Sequence, residues 1–114
     1  MKLVTFTHNK LSRVGAVIDD AIVDSQGCAE IPVSMIEFLG AGSKALQAMQ
    51  ELIDRGSARI ALAEVKLNAP VPRPGKYLGI ALNYADHIAE TGRDKPEYPS
   101  FFSKQSTCVI GDGD

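Results

Sequence analysis

The first 24 residues carry short runs of apolar and β-branched side chains, a pattern typical of β-strands. The runs are KLVTFT, RVGAVI and AIV. Asp19 and Asp20 separate the second run from the third, and paired aspartates favour a turn. The pattern therefore predicts three short strands at the start of the chain, with a turn between the last two.

Apolar residues recur at three- and four-residue intervals after residue 34, which predicts two helices. In SMIEFLG, Ser34 and Glu37 have the spacing of a capping box, and Gly40 is expected to end the helix. In SKALQAMQELIDRG, Ser43 can cap the start and Gly56 can end the helix. The apolar face of this second helix comprises Ala45, Leu46, Met49, Leu52 and Ile53. The alternating EVKL that follows predicts a half-exposed strand.

Prolines at positions 70, 72 and 74 dominate the segment NAPVPRPG. Proline lacks an amide hydrogen and restricts φ, so this density of prolines excludes a helix or a central strand and extends the backbone. The segment predicts a domain boundary. We expect a small domain at residues 1–69, a stiff linker at 70–75 and the start of a second domain at 76–114.

The residues after the linker predict few elements. KYLGIAL is typical of a buried strand, NYADHIAETG of a short helix and RDKPEYP of a surface loop, and SFFSKQSTCVI predicts a second strand before a turn at GDGD. Strands and helices in both parts indicate the α+β class. So few elements bury too little apolar surface to close a core, and we expect the sequence to be a fragment of a longer protein.

Composition excludes several classes of function. The 114 residues are 45% apolar and 23% charged, as in soluble globular proteins. A net charge of −2 without a Lys/Arg cluster argues against a nucleic-acid partner. No apolar run approaches the roughly 18 residues of a membrane span, and none resembles a signal peptide. Cys28 and Cys108 lie far apart without metal-ligand spacing, so we expect unpaired thiols in a cytoplasmic protein.

The segment NYADHIAETG contains the candidate chemistry. On a helix, Asn83, His87 and Glu90 share one face, with Asn83 as the N-cap and Gly92 as the stop. A carboxylate beside an imidazole raises its basicity, which suits it to take a proton from water. The same spacing is also typical of a solvated surface pair, and two ligands do not complete a metal site. Spacing leaves both interpretations open. His8, the only other histidine, is expected in an exposed hairpin loop.

Two longer segments carry a family resemblance. APVPRPGKYLGIALNYADHIAETG, followed by PSFFSKQSTCVIGDGD, resembles the entrance to the catalytic domain of the fumarylacetoacetate hydrolase family. RVGAVIDDAIVD and SMIEFLGAG are similar to the small N-terminal domain of its bacterial members. The resemblance implies an α+β protein whose second domain begins a mixed β-sandwich or β-roll. It also implies a homodimer that hydrolyses or cleaves small 2-oxo or 2,4-dioxo acids in aromatic catabolism, with Mg²⁺ or another divalent ion stabilising an enolate.

The resemblance also assigns roles to individual residues. It implies that His87 is the general base and Glu90 its orienting partner. Lys104, in FFSK, matches a pocket lysine that favours a carboxylate or an enolate, although an exposed strand lysine explains it equally well. Tyr84 and Asn83 match the NY that precedes the dyad in the family, which implies a contact with the substrate or with a metal-bound water. The alternatives are packing for Tyr84 and capping for Asn83.

The departure from the family pattern concerns the metal ligands. The family holds its metal with an E-x-E pair and a later aspartate, and no E-x-E occurs in this sequence. Asp112 and Asp114 lie in the GDGD turn and are not assigned to metal. We therefore expect the ligands outside these residues and no activity from the 114 residues alone. The alternatives are a hydratase or isomerase of the same family, or a non-catalytic binding module.

Overall fold

The computed structural model describes residues 1–114, which divide into two compact units. The first unit contains Met1–Pro72 together with Val109–Asp114, and the second contains Arg73–Cys108. The predicted boundaries at residues 69 and 75 remain a prediction. Antiparallel sheets and three helices confirm the α+β class. None of the helices is long and apolar enough to cross a membrane.

The first unit is built on a five-stranded antiparallel sheet. Its strands are β1 (Lys2–His8), β2 (Leu11–Ile18), β3 (Ala21–Asp24), β4 (Arg59–Ala61) and β5 (Lys66–Leu67), in the order β4-β3-β2-β1-β5. The three predicted N-terminal strands are confirmed. Asn9 and Lys10, with φ of 50° and 66°, form the two-residue turn between β1 and β2. His8 ends β1 and is half-buried, so its predicted place in an exposed loop was wrong.

Two helices, α1 (Met35–Ala41) and α2 (Ser43–Asp54), cover one face of this sheet. The buried cluster between helices and sheet contains Val14, Ala16, Ile31, Met35, Phe38, Ala45 and Met49. These side chains come from sequence-distant elements, and burying them away from water supplies the main driving force for folding of this unit.

The helix ends are partly as predicted. The Ser34 hydroxyl accepts a hydrogen bond from the Glu37 amide at 3.2 Å, which confirms Ser34 as the cap of α1. Gly56, with φ of 67°, follows the end of α2 as expected. The predicted helix end at Gly40 and the predicted cap at Ser43 were wrong, because α1 runs through Gly40 and Ser43 already lies inside α2. A single residue, Gly42 with φ of 61°, both ends α1 and begins α2, which leaves no separate stop and cap.

The strand predicted at EVKL is shorter than expected. Only Lys66–Leu67 pairs, against Phe6 and Thr7 of β1, and Leu62–Glu64 form a 3₁₀ turn. β4 was not predicted at all. After β5, the side-chain amide of Asn68 donates to Thr7 Oγ1 at 2.8 Å. The Thr5 hydroxyl donates to the Pro70 carbonyl at 2.7 Å, so the start of the proline-rich segment is fixed to β1.

The second unit contains a two-stranded antiparallel sheet and one helix. The strands are β6 (Tyr77–Ala81) and β7 (Ser100–Lys104), and the helix is α3 (Ala85–Thr91). The strand predicted over SFFSKQSTCVI ends at Lys104, because residues Ser106–Cys108 turn into a 3₁₀ helix. β7 is exposed along its whole length and β6 over most of its length, so KYLGIAL is not the buried strand that was predicted. A pair of strands needs further packing for independent stability.

Candidate functional site

The two residues of the predicted dyad lie on α3. His87 and Glu90 are both exposed and share a helix face. The ion pairs of the structure are Arg13–Asp24, Arg55–Glu51 and Lys66–Asp114, so His87 and Glu90 do not form one. Side chains three residues apart on a helix can meet through a change of rotamer. The local geometry therefore permits the pairing without requiring it.

The predicted start of α3 was wrong by one residue. The N-cap is Tyr84, which has an extended backbone and makes no side-chain capping bond. Asn83 lies before the helix and follows Leu82, whose φ is 51°. The backbone thus turns before Asn83, which removes Asn83 from the helix face of His87. Gly92 ends α3 in the left-handed conformation, as predicted, with its amide donating to the Ala89 carbonyl at 3.2 Å.

A cavity of about 650 Å³ lies beside α3 in the second unit. The helix contributes Ala85, Ile88 and Ala89 to its lining. The end of β6 and the turn before α3 contribute Ile80, Ala81, Leu82 and Asn83, and the loop after α3 contributes Lys95, Pro96, Glu97, Tyr98 and Pro99. At 3.6 residues per turn, the cavity-lining helix face is roughly opposite the face of His87 and Glu90. The dyad therefore projects away from this cavity. This cavity was not predicted from the sequence, because no single segment carries a pattern that indicates it.

The remaining predicted substrate contacts lie in different places. Asn83 lines the cavity, whereas the Tyr84 side chain is 74% exposed and does not. Lys104 is the last residue of β7, pairs in register with Tyr77, and is exposed. Its ammonium has no ion-pair partner. Their predicted roles in substrate binding stay predictions.

The residues of this chain do not fit a divalent metal ion by themselves. No group of three or more His, Cys, Asp or Glu side chains comes together. The carboxylate of Asp114 accepts a hydrogen bond from the Gly111 amide and pairs with Lys66 at 2.5 Å. These contacts, the Lys66 hydrogen bond first, lower the pKa of Asp114. The Asp114 carboxylate is thus held within the GDGD turn and by Lys66, and the exclusion of Asp112 and Asp114 from the metal site stays a prediction.

Neither cysteine forms a disulfide. The Cys28 thiol donates to a Glu30 carboxylate oxygen at 3.2 Å. Burial of the thiol, together with this bond to a carboxylate, raises the pKa of Cys28. A raised pKa reduces the fraction of the reactive thiolate, so Cys28 is a poor nucleophile.

Comparison with known proteins identifies relatives along the whole chain, although no family model matches it. Oxaloacetate tautomerase YisK of Bacillus subtilis (strain 168) is 38% identical over 133 aligned residues, covering 100% of this chain and 44% of the relative. The fumarylacetoacetate hydrolase domain-containing protein 2 homolog of Dictyostelium discoideum is 32% identical and is matched over 100% of this chain and 39% of its own length. The chain therefore spans less than half the length of these relatives.

Among solved structures, the chain is similar to maleylpyruvate hydrolase from Sphingobium sp. SYK-6 in complex with manganese(II) ion and pyruvate. The TM-score is 0.73 with 28% sequence identity, over 96% of this chain and 39% of the hydrolase. The sequence similarity and the fold similarity both extend over nearly every residue of the chain. The chain belongs to the fumarylacetoacetate hydrolase family.

Proposed function

We propose that this chain is part of a metal-dependent enzyme that moves a proton next to the carbonyl of a small 2-oxo acid. The observation that carries the proposal is the similarity, along the entire chain, to an oxaloacetate tautomerase at 38% identity. A manganese ion and pyruvate in the complex of the hydrolase relative support the pairing of a divalent ion with an oxo acid.

In this proposal, the α3 face of His87 and Glu90 faces the substrate. His87 takes the proton from the carbon next to the carbonyl, and Glu90 holds the imidazole in the tautomer that can accept it. In tautomerisation a proton is then delivered to the carbonyl oxygen, so no water is consumed and no other bond breaks. Both side chains are exposed on a helix that ends at a fixed Gly92 turn, which leaves them accessible.

Lys104 supplies a cation for the substrate carboxylate, and Tyr84, which is also exposed, contributes a polar contact. Asn83 lines the cavity on the other side of α3 and has no contact in this arrangement. The free ammonium of Lys104 supports this role, because no carboxylate of the chain neutralises it. The divalent ion, Mg²⁺ by the family resemblance, stabilises the negative enolate oxygen when bound. The donors present in this chain do not cluster, so they do not supply its ligand set by themselves. We also propose a homodimeric assembly, as the resemblance implies.

Hydrolysis of a carbon–carbon bond in a 2,4-dioxo acid is the second candidate. It is supported by the fold similarity to maleylpyruvate hydrolase. Here His87 would take its proton from water, and the resulting hydroxide would attack the distal carbonyl carbon. The bond from that carbon to its neighbour would then break, and the fragment that contains the 2-oxo acid would leave as an enolate. Hydration of an oxo acid uses the same activated water. The proton acceptor and the carboxylate contact are thus common to all three reactions.

The test is an assay of the longest natural polypeptide that contains this chain, with Mg²⁺ or Mn²⁺ added. Oxaloacetate is supplied as its enol, and ketonisation is followed by the loss of enol absorbance; a 2,4-dioxo acid is followed by the release of pyruvate. We expect metal-dependent ketonisation, and none from the isolated 114 residues. Pyruvate release without ketonisation would favour the hydrolase. Turnover of neither substrate would refute the proposal and favour the non-catalytic module.

A further inference from the structure

The face of the β6–β7 sheet that carries Lys104 has an unusual contact at its centre. Gly79 of β6 lies directly across from Phe102 of β7. A Cβ built on Gly79 would lie 2.7 and 2.8 Å from two ring carbons of Phe102. Real Cβ atoms do not approach carbon so closely, so the Phe102 ring occupies the space that a side chain at position 79 would need.

The register places this contact next to Lys104. Cross-strand partners share a sheet face, and so do residues two apart on one strand. Phe102 and Lys104 are two apart on β7, and their partners are Gly79 and Tyr77. Because the Phe102 ring leans across onto β6, the ring is drawn away from its own strand. Lys104 itself is exposed on this face of the sheet.

Glycine inside a strand has a conformational cost of about 0.5–1 kcal/mol relative to alanine and often marks close approach of another group. The backbone of Gly79 has no positive φ, so its conformation does not require glycine. The close approach of the Phe102 ring is what requires glycine at position 79. The Phe102 side chain is still 46% exposed, so this packing does little to bury it from water.

We propose that Gly79 is a positioning residue for substrate binding: by accommodating the Phe102 ring, it keeps the sheet face beside Lys104 open to the carboxylate of the oxo acid. The inference rests on the proposed role of Lys104. With a methyl group at position 79, the ring must swing back over β7, into the space beside Lys104 or Ser100. Gly79 therefore acts on the substrate through Phe102 and Lys104 and does not contact it.

The experiment compares steady-state kinetics of Gly79→Ala with those of the unchanged enzyme, in the longest natural polypeptide and with its metal bound. We expect KM for the oxo acid to rise about tenfold, the effect of weakening one charge-assisted contact, with kcat little changed. The double variant Gly79→Ala with Phe102→Leu should restore KM, because the shorter side chain removes the clash. Gly75→Ala is the matched control, since a Cβ on Gly75 meets nothing within 4 Å and its φ is not positive.

Lys104→Ala separates this inference from the proposed function. If Lys104→Ala leaves KM unchanged, the role of Lys104 in the proposed function fails, and the inference falls with it. If Lys104→Ala raises KM but Gly79→Ala does not, or Phe102→Leu does not rescue it, only the inference is overturned. In a Lys104→Ala background, Gly79→Ala should raise KM no further.

A folding defect in Gly79→Ala would show in circular dichroism. In that case Phe102→Trp, which enlarges the ring above Gly79, becomes the test. It should raise KM in the same way, and an unchanged KM would overturn the inference.

Discussion

A buried ion pair in the first unit gives the most direct test of the structure. The Arg13 guanidinium donates to both carboxylate oxygens of Asp24, at 2.6 and 2.5 Å. It also donates to the Leu11 carbonyl at 3.2 Å and lies 4.8 Å from the centre of the Phe6 ring. The side chains of Arg13 and Asp24 are only 6% and 13% exposed. Replacing Asp24 by asparagine keeps the shape but leaves a buried positive charge without its counter-charge.

Removing one partner of a buried pair costs about 3–5 kcal/mol, because the remaining charge stays desolvated. The amide oxygen of the substituted asparagine still accepts one hydrogen bond, so we expect the lower end, about 3 kcal/mol. With a urea m-value of about 1.5 kcal/mol/M, the unfolding midpoint of the 114-residue chain should fall by about 2 M at an unchanged m-value. Far-UV circular dichroism during urea unfolding at neutral pH measures this midpoint.

The pH dependence provides a second measure of the same pair. Burial of Asp24 raises its pKa, but the Arg13 hydrogen bond, the Gln26 amide and the Arg13 charge lower it more, so the net pKa is below the ordinary value. A lowered pKa in the folded state means that the stabilisation is complete above the unfolded pKa, near 4, and is lost as pH falls through the folded pKa. The difference in the free energy of unfolding between Asp24→Asn and the unchanged chain should therefore shrink as the pH is lowered below about 4.

Two controls define what would refute this reasoning. Glu51→Gln removes the exposed Arg55–Glu51 pair of α2 and should cost no more than about 0.5 kcal/mol. If Asp24→Asn lowers the midpoint no more than Glu51→Gln, the buried pair does not contribute as argued. The double variant Arg13→Met with Asp24→Leu should recover much of the lost stability, since no charge then remains buried.

Three further outcomes are expected. Gly15→Ala should destabilise the chain by about 1–3 kcal/mol in the same urea assay, because a Cβ there would lie 2.6 Å from Ile22 Cγ2; an unchanged midpoint would contradict this packing. Ser34→Ala should lower the free energy of unfolding by about 1 kcal/mol, since the Glu37 amide loses its capping acceptor. Ser34→Thr should retain most of this stabilisation, because threonine also caps helices. In the longest natural polypeptide, His87→Ala should lower kcat by about 10²–10⁴ while metal affinity measured by calorimetry stays the same. A collapse of metal binding would make His87 a ligand instead of a base.

The strands and helices of the first unit were largely predictable because they rest on local rules. The β-branched runs indicated β1 to β3, and the spacing of apolar residues indicated α1 and α2. The cap at Ser34 and the stop at Gly56 follow from single residue types that satisfy or release backbone groups. The errors occurred where one residue serves two elements, at Gly42, and where a short strand exists only through pairing with a distant one, at β4 and β5.

The candidate site was predicted only as a set of residues. The sequence indicated a helix with His87 and Glu90 on one face, and α3 presents them so. It placed Asn83 on the same face, which the turn at Leu82 prevents. It contained no signal for the opposite, cavity-lining face of α3, because a lining is made from a helix, a strand end and a loop that meet only in three dimensions.

The sequence by itself determined the α+β class, the order of the main elements and the residues that can carry proton transfer, since these depend on periodicity, caps and side-chain chemistry. Only the tertiary structure decided the pairing of Gly79 with Phe102, the burial of Arg13 against Asp24 and the direction in which the dyad projects. Each of these depends on register or packing between residues that are distant in sequence. Local propensity carries no information about such contacts, because they are selected by the free energy of the whole folded chain.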